Sequence, residues 1–497
     1  MRARPTPSMR RRAGRSACAV ALAGLLAGCA VGPDFVRPAA PADDHYAGGG
    51  DPQATVAADG AAQRFTPGAA IAADWWTLFK SPQIDAVIKQ AIDLNPGLAA
   101  ASASLRQSQD ALRAGYGVFY PALGAGFDAS RERYSPARVG QSGPGSIFNL
   151  FTLSATVNYA LDVFGGQRRQ VEALGAAVDV QRNLERGTYL ALAANVANAL
   201  IAKAAYGAEI DATRALIALE REQVRLAQVQ AGAGTAPYST VLSLRSQLAT
   251  VEATIPQLEQ KLSQTDDLLA TLAGRTPGTW QAPSITFADL SLPQDLPVSL
   301  PSDLARQRPD ILAAEASAHA ASADIGVATA AMFPSFTLTG GYGVNNTSGA
   351  SLFAAGSRFW SGGLDVATPI IQGPTLWFQR KAAIDSYQAA LAQYRQTVLA
   401  AFAQVADTLR GLEHDAQVLT AEHEALDTAR QALQLVQANY TAGIATYTDV
   451  LIADAQYHQA VIADLQARAV RYQDTVALFT ALGGGWWNAP PAAAAAG

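Results

Sequence analysis

Hydrophobic and polar residues alternate almost without interruption from Phe151 to Val163, in the stretch FTLSATVNYALDV. One set of alternate positions is apolar or aromatic, and the other carries hydroxyl, amide and carboxylate groups. A period of two predicts a β-strand. A strand with these two faces suits a half-buried sheet of a soluble protein, or a membrane barrel with lipid outside and water inside. Its length permits the second, because a tilted strand crosses the hydrocarbon core in roughly 9–11 residues.

Three further stretches alternate in the same way, so the predicted strands are at about 122–133, 151–163, 335–345 and 358–370. Loops rich in Gly and Ser separate the members of each pair, which predicts two hairpins. Four strands cannot close a barrel, and open strand edges are not tolerated in lipid. Two copies of the chain would give eight strands with a filled interior, whereas three copies would give twelve strands and room for water. The polar strand faces need water, which favours three copies.

Two stretches of helical periodicity predict long helical hairpins. The first, 167–273, has no proline before its turn and is rich in good helix formers. Its outgoing helix would reach roughly 100 Å, and its return helix would bend at Pro256. The second hairpin, 375–482, carries apolar residues that step mainly by three and four along a heptad-like seam. Such seams are typical of helices that pack side by side.

The two halves of the chain resemble each other in sequence. The segment GTAPYSTVL at the first hairpin turn matches GIATYTDVL at the second, at an offset of 209 residues. An internal duplication is the simplest explanation. We therefore divide the chain into a first repeat (71–273), a proline-rich equatorial linker (274–301), a second repeat (302–482) and a C-terminal tail (483–497).

The N-terminus is predicted to be a processing segment. An arginine-rich stretch precedes an apolar one, which ends in the sequence LAGC at Cys29. Small residues before a cysteine resemble a bacterial lipobox, so we expect a signal peptide over 1–28 and a covalent lipid on Cys29. An ordinary secretory signal followed by an incidental cysteine is the alternative. Residues 29–70, rich in Ala, Gly, Pro and Asp, predict an extended tether, with order beginning near Asp74.

Composition and charge narrow the possible functions. The chain has 497 residues, is 49% hydrophobic and carries a net charge of −5, so it offers no basic surface for nucleic acid. After Cys29 no uninterrupted apolar run of about 18 residues predicts a transmembrane helix, so a membrane-spanning form would be a barrel. No catalytic or metal-binding constellation stands out in the sequence. We therefore predict that the protein is not an enzyme and uses no cofactor apart from the lipid.

Seven motifs run along nearly the whole chain: VGPDFVRP, WWTLF, YALDVFGGQRR, RQRPDILAAEASAHAASADIGVATAAMFPSFTLTGGYG, YRQTVLAAFAQVADTL, NYTAGIATYTDVLIA and TALGGGWW. Together they resemble those of the TolC-like outer-membrane factors, in particular the NodT-type lipoprotein branch that serves RND efflux pumps. The resemblance implies a mixed α/β membrane protein: a homotrimer with a shared 12-stranded transmembrane β-barrel, a periplasmic α-barrel and an equatorial belt. It implies a passive gated duct in the cell outer membrane, docked to a periplasmic adaptor and an inner-membrane RND pump, that exports small molecules or drugs.

The resemblance also implies a gate at the periplasmic end, where acidic side chains ring the pore. Asp449 matches such a position, Asp454 lies nearby, and Tyr440 matches a tyrosine that in some members ties the closed state by a hydrogen bond. Ile452 stands where many members carry a second Asp, so the gate is expected to be weaker or differently placed. From the residues alone, Asp449 can equally be a helix N-terminal residue favoured by the dipole, and Tyr440 a residue packed in the seam.

The hairpin turns are expected to dock the adaptor. They contain Gly234, Thr235, Gly443 and Thr446. Two other functions remain open at this point, namely a type I protein-secretion duct of the same fold and a lipid-anchored periplasmic coiled-coil scaffold. The four alternating strands argue against the scaffold, because a scaffold has no need of them.

Overall fold

The computed structural model describes residues 30–140, 142–370, 372 and 374–489. The predicted signal peptide, the lipidation site at Cys29 and the last residues of the predicted tail lie outside the described residues. The chain forms two compact units. Among the described residues, the first unit comprises 30–37, Arg106–Val180 and Ala314–Tyr394, and the second comprises Pro38–Leu105, Gln181–Ala313 and 395–489.

The described residues form six strands and nine α-helices. The strands are β1 (Arg64–Pro67), β2 (Ala122–Tyr134), β3 (Ser146–Leu161), β4 (Asp295–Val298), β5 (Ser335–Asn346) and β6 (Arg358–Ala367). The helices are α1 (Pro82–Leu94), α2 (Pro96–Gly115), α3 (Gly166–Gly232), α4 (Tyr238–Glu252), α5 (Thr254–Leu272), α6 (Pro301–Gln307), α7 (Pro309–Ala330), α8 (Thr375–Thr441) and α9 (Tyr447–Ala481). Helix, two strands, a helix of 67 residues and a return path follow one another in both halves.

The four predicted alternating strands form one antiparallel sheet in the first unit. The strand order is β2-β3-β5-β6. In its register Val157 lies between Leu123 and Gly340, while Asn158 lies between Ala122 and Thr339. Because side chains on paired positions share a face, one face of the sheet is apolar and the other is polar. Large side chains on the apolar face are exposed, including Leu123 at 81% and Trp360 at 80%.

Strand β3 begins five residues earlier than the alternation predicts. It starts at Ser146, which pairs with Tyr134 at the end of β2. The pattern is lost there because Phe148 and Leu150 lie on the same side as Thr152. Backbone pairing with β2 continues regardless, since it does not depend on the side-chain pattern.

The core of the second unit forms around the motif DWWTLF. Residues 75–79 form a 3₁₀ helix in which Trp75, Trp76 and Phe79 are buried. The Trp75 ring stacks on Phe479 of α9, with 5.3 Å between ring centroids. Leucine, isoleucine, valine and alanine side chains between 190 and 205 of α3 belong to the same cluster. Burial of this large apolar surface holds the helices of the second unit together.

Among the described helices, α3 is long and apolar enough to cross a membrane by length and composition. Its most apolar window has a mean hydropathy of 1.2, and 56% of that window is buried. The core helix of a soluble domain passes the same test, so this result is weak support for a membrane span. We interpret α3 as a core helix, because its apolar residues belong to the cluster around Trp75.

The return path of the first hairpin is interrupted close to the predicted position. Helix α4 ends at Glu252 and α5 begins at Thr254. Pro256 lies in the first turn of α5 and has no backbone N–H with which to bond the carbonyl of Glu252. The interruption therefore precedes the proline by one turn.

The sequence predicted that ordered structure begins near Asp74, but it begins earlier in the chain. Strand β1, at 64–67, pairs in parallel with β4, and Phe65 within it is only 5% exposed. Arg471 of α9 donates hydrogen bonds to the backbone oxygens of Ala58 and Ala61, each at 2.9 Å. The sequence of this segment shows no periodicity, and its partners are distant along the chain, since Arg64 and Asp295 are 231 positions apart. Local sequence patterns therefore could not predict these contacts.

The residues that follow Cys29 are also held in place, within the first unit. Arg169 donates to the Asp34 carboxylate at 2.6 Å. Gly32 lies so close to Gly326 that a Cβ on it would come within 2.5 Å of the Gly326 Cα. The Phe35 ring stacks on His319, with 4.6 Å between centroids. Residues 30–37, here called the strap, are extended but are held by these contacts rather than forming a free tether.

The two faces of the sheet make a first testable prediction. Val157→Arg places a charge on the apolar face, whereas Asn158→Arg places the same charge on the polar face of the same strand. If the apolar face meets lipid, the first substitution should cost about 2–4 kcal/mol near the membrane centre. We expect Val157→Arg to reduce the amount of assembled protein in outer-membrane fractions, and Asn158→Arg to leave it near the wild-type level. Equal amounts of the two variants would contradict the assignment of faces.

Candidate functional site

The two helical hairpins of the second unit turn with the same backbone geometry. Gly234 and Gly443 have φ values of 72° and 73°. The next residue donates back across the helix end in each case, from Thr235 N to Gln230 O at 2.9 Å and from Ile444 N to Asn439 O at 2.8 Å. This left-handed backbone conformation is strained for a residue with a side chain, whereas glycine adopts it without strain. Both turns therefore lie where the sequence predicted them.

The turns expose apolar side chains to solvent. Ile444 is 78% exposed, Tyr238 is 60% exposed and Leu242 is 54% exposed. An exposed group of large apolar side chains at the end of a helical hairpin is a candidate contact surface. The predicted docking residues, Gly234, Thr235, Gly443 and Thr446, lie on the same turns.

Asp449 caps the start of helix α9. Its Oδ2 accepts hydrogen bonds from the backbone N of Thr446 at 2.8 Å and from Thr446 Oγ1 at 2.6 Å. The Thr446 side chain in turn accepts from Asp449 N, which completes a capping box. These hydrogen bonds lower the pKa of Asp449. The carboxylate is solvent-exposed, so the structure gives Asp449 a capping role, and a role in a pore ring stays a prediction.

Asp454 does not share the environment of Asp449. Its side chain is only 2% exposed, and Oδ1 makes no hydrogen bond. Five residues turn a helix by about 500°, so the two carboxylates point to different faces of α9. Ile452, one turn after Asp449, is 53% exposed. In the single chain Asp449 is exposed and Asp454 is buried, and the assignment of both to a periplasmic gate stays a prediction.

Glu220 of α3 is a second buried carboxylate near Asp454. It is 1% exposed, and neither of its carboxylate oxygens makes a hydrogen bond of ordinary geometry. Burial raises its pKa to about 7, and the charge of Asp454 adds to this, while the Gln247 amide partly opposes it. Burial likewise raises the pKa of Asp454 to about 6.

Sequence reasoning missed Glu220, although a signal was present. Glu220 follows Ile217 by three residues and precedes Val224 by four, and both of these are buried. This spacing places the carboxylate on the apolar seam of α3. A charged residue at a seam position is a candidate for a shifted pKa.

Two tyrosines connect the helices close to the turns. Tyr447 donates from its hydroxyl to Gln223 Oε1 at 2.7 Å, and Tyr440 donates to Gln230 Oε1 at 3.4 Å. Their rings meet edge to face, with 5.3 Å between centroids. Burial raises the pKa of Tyr447. Tyr440 therefore makes a hydrogen bond and an aromatic contact within one chain, and its role in a closed state stays a prediction.

The amide, carboxylate and phenol side chains described at this end of the hairpins can form hydrogen bonds and exchange protons. A cavity of about 240 Å³ lies beside the tyrosines and is lined by Gln223, Gln230 and Gln437 among others. In the part of the chain that the structure describes, no group of three or more His, Cys, Asp or Glu side chains could hold a metal ion.

Comparison with known proteins identifies the family. The model of the outer membrane efflux protein family matches residues 87–275 and 300–484. This is most of the chain, and the two matched segments contain the four-stranded sheet and both helical hairpins. The chain belongs to the outer membrane efflux protein family.

Individual members of the family are similar over nearly their whole length. Outer membrane protein OprJ of Pseudomonas aeruginosa is 30% identical over 95% of this chain and 96% of its own. The probable outer membrane lipoprotein SilC of Salmonella typhimurium is 26% identical over 93% of this chain and 97% of its own. Among solved structures, the outer membrane protein VceC of Vibrio cholerae has a TM-score of 0.77 at 25% identity, covering 84% of this chain and all of that one. This outer membrane efflux protein therefore has the family's fold, location and efflux function.

The capping box makes a second testable prediction. In this efflux protein Thr446→Ala removes the side chain that caps α9, which should cost about 1 kcal/mol locally. We expect hydrogen exchange of the amides of 447–450 to accelerate by about five-fold, since this is the factor that corresponds to that free energy. Thr448→Ala, in the same turn but outside the box, is the matched control and should exchange like the wild type. Unchanged exchange in Thr446→Ala would show that the box does not stabilise the helix start.

Proposed function

We propose that three copies of this outer membrane efflux protein form one channel, with a shared barrel of twelve strands and a tube of helical hairpins. Small molecules would pass through it from the periplasm to the exterior. The observation that carries the proposal is the sheet of the first unit, which has one apolar face, one polar face and two open edges.

The open edges require further strands. In the described residues β2, with 13 residues, and β6, with 10 residues, each pair on one side only. Unpaired backbone groups in lipid cost several kcal/mol each. Pairing of β6 with β2 of the next copy would satisfy both edges and close the barrel.

The polar face favours three copies over two. A row across the sheet joins Asp128, Thr152 and Asn345, all on the face opposite to the apolar side chains. An eight-stranded barrel would fill its interior with side chains, whereas twelve strands leave room for water around these groups. A water-filled interior is what a duct requires.

The long helices also present surfaces that further copies would cover. Large apolar side chains are exposed along α3 and α8, including Leu219, Leu226, Val229, Leu399, Val418 and Leu435. A single solvated chain gains nothing from this arrangement. Side-by-side packing of the hairpins of three chains would bury these residues.

Gating is proposed at the hairpin turns, where Asp449 is exposed. Three copies of its carboxylate around a narrow axis would favour cations and repel anions. A periplasmic adaptor would dock on the turns that contain Gly234, Thr235, Gly443 and Thr446, and an inner-membrane RND pump would supply the energy. The channel itself would perform no chemical step, and a lipid on Cys29 would anchor each chain to the membrane.

Copy number and lipidation can be measured together. Native mass spectrometry of protein extracted from outer membranes in mild detergent should give three processed chains, each with acyl groups on Cys29. A Cys29→Ala variant should lose the acyl mass and thereby separate the lipid from other adducts. A monomer would contradict the shared barrel and would favour a lipid-anchored periplasmic scaffold.

The charge of Asp449 makes a third prediction, for single-channel recordings. Asp449→Asn keeps an oxygen that can accept the capping hydrogen bond but removes the negative charge. We expect a weaker preference for cations over anions, because the ring loses its three charges. Thr448→Ala is the control for altering the same turn. Identical ion preference in Asp449→Asn and the wild type would exclude Asp449 from the gate.

A further inference from the structure

Helices α3 and α9 run antiparallel beside each other in the second unit, and their contacts place Glu220 and Asp454 together. Tyr447 at the start of α9 bonds to Gln223 of α3 at 2.7 Å. Glu220 precedes Gln223 by one turn of α3, and Asp454 follows Tyr447 by two turns of α9. Because the two helices are antiparallel, both carboxylates lie on the same side of the hydrogen bond between Tyr447 and Gln223. We propose that Glu220 and Asp454 form a proton-binding site, which holds the ends of the hairpins closed when it is protonated.

The pair is buried without a compensating cation. Glu220 and Asp454 are 1% and 2% exposed, and Asp454 Oδ1 has no hydrogen-bond partner. Within the described residues neither carboxylate takes part in an ion pair. Arg221, the neighbour of Glu220, is turned outward and pairs with Glu252 at 2.7 Å. A proton is therefore the ligand that these oxygens lack.

The surrounding groups increase the demand for a proton. Glu252 of α4 adds a further negative charge that raises the pKa of Glu220, and only the Gln247 amide favours the charged form. On α9 the facing group is Tyr447, which interacts electrostatically with both carboxylates. Apolar side chains of Val224, Val241 and Leu244 pack on the same region. Two carboxylates in such surroundings cannot both be ionised cheaply.

The direction of the pH effect follows from the raised pKa values. The ordinary values are 3.8 for Asp and 4.5 for Glu, and in the folded chain they rise to about 6 and about 7. A raised carboxyl pKa means that the folded state binds protons more tightly than the unfolded state. The contribution to stability is complete at acid pH and is lost as the pH rises through about 6 and about 7. Above this range two adjacent buried charges would push α3 and α9 apart.

This inference rests on the proposed function only where it concerns gating. The pair lies in the same hairpin ends that carry Asp449, so a separation of α3 and α9 would widen the region proposed as the gate. The channel would then be more open at alkaline than at acid periplasmic pH. Protonation of the pair itself can be tested without any assumption about a channel.

Infrared spectroscopy of the purified full-length protein tests the proton directly. Between about pH 5 and about pH 8 we expect the absorption of a protonated carboxylic acid to disappear. The loss should be smaller in Glu220→Gln and in Asp454→Asn. Glu222→Gln removes an exposed carboxylate two residues along α3 and should retain the full signal. A titrating signal of equal size in Glu220→Gln, Asp454→Asn and the wild type would overturn the proposal.

Single-channel recording then tests the link to gating. We expect the open probability of the wild type to rise by about two-fold or more over the same pH range. The double variant Glu220→Gln, Asp454→Asn should stay at the acid-pH value throughout, because amides resemble the protonated acids. Glu222→Gln should follow the wild type. A double variant that titrates like the wild type, or that fails to assemble, would contradict the proposed site.

The two measurements separate the two proposals. Conducting channels whose open probability is independent of pH would sustain the channel and overturn the link between protonation and opening. Absence of conductance in every variant, together with a smaller titrating carboxyl signal in Glu220→Gln than in the wild type, would sustain the proton site and count against the channel.

Discussion

The open edges of the sheet in the first unit are the constraint on which the rest of this protein depends. Strands β2 and β6 present unpaired backbone groups beside a continuous apolar face. In water the backbone groups of these edges would be solvated, but exposure of the apolar face would be unfavourable. In lipid the apolar face would be favourable, but the unpaired backbone groups would not be. Pairing with further copies of the same strands, as proposed, would resolve this conflict. The family's location in the outer membrane is consistent with that solution.

The core of the second unit holds the helices α3 and α8, of 67 residues each, in register. Its core uses large aromatic side chains, among them Trp75 against Phe479, and a buried guanidinium at Arg471 that is satisfied by backbone oxygens. Near the hairpin turns Glu220 and Asp454 replace apolar seam residues and leave carboxylate oxygens unpaired. If the hairpin ends move as proposed, a weakly stabilised contact there would make the movement easier.

Local patterns in the sequence predicted the strands and the long helices because each depends on near neighbours. The strands at 335–346 and 358–367 began where the alternation began, and the hairpin turned at the glycines that the motif marked. Strand β1 and the strap at 30–37 were missed for the opposite reason. Their partners, such as Asp295 for Arg64 and Gly326 for Gly32, are far away in the chain. Short segments without periodicity carry no sign of such contacts.

The sequence by itself determined which residues alternate, which segments are helical and to which family the chain is related. Only the tertiary structure decided which carboxylates face water. Asp449 and Asp454 look alike in the sequence, yet one caps a helix in solvent and the other is buried against α3. Helical rotation makes them point apart, and packing of α3 on α9 then removes water from one of them. Burial and charge depend on what the opposite helix presents, and that is a property of the assembled fold.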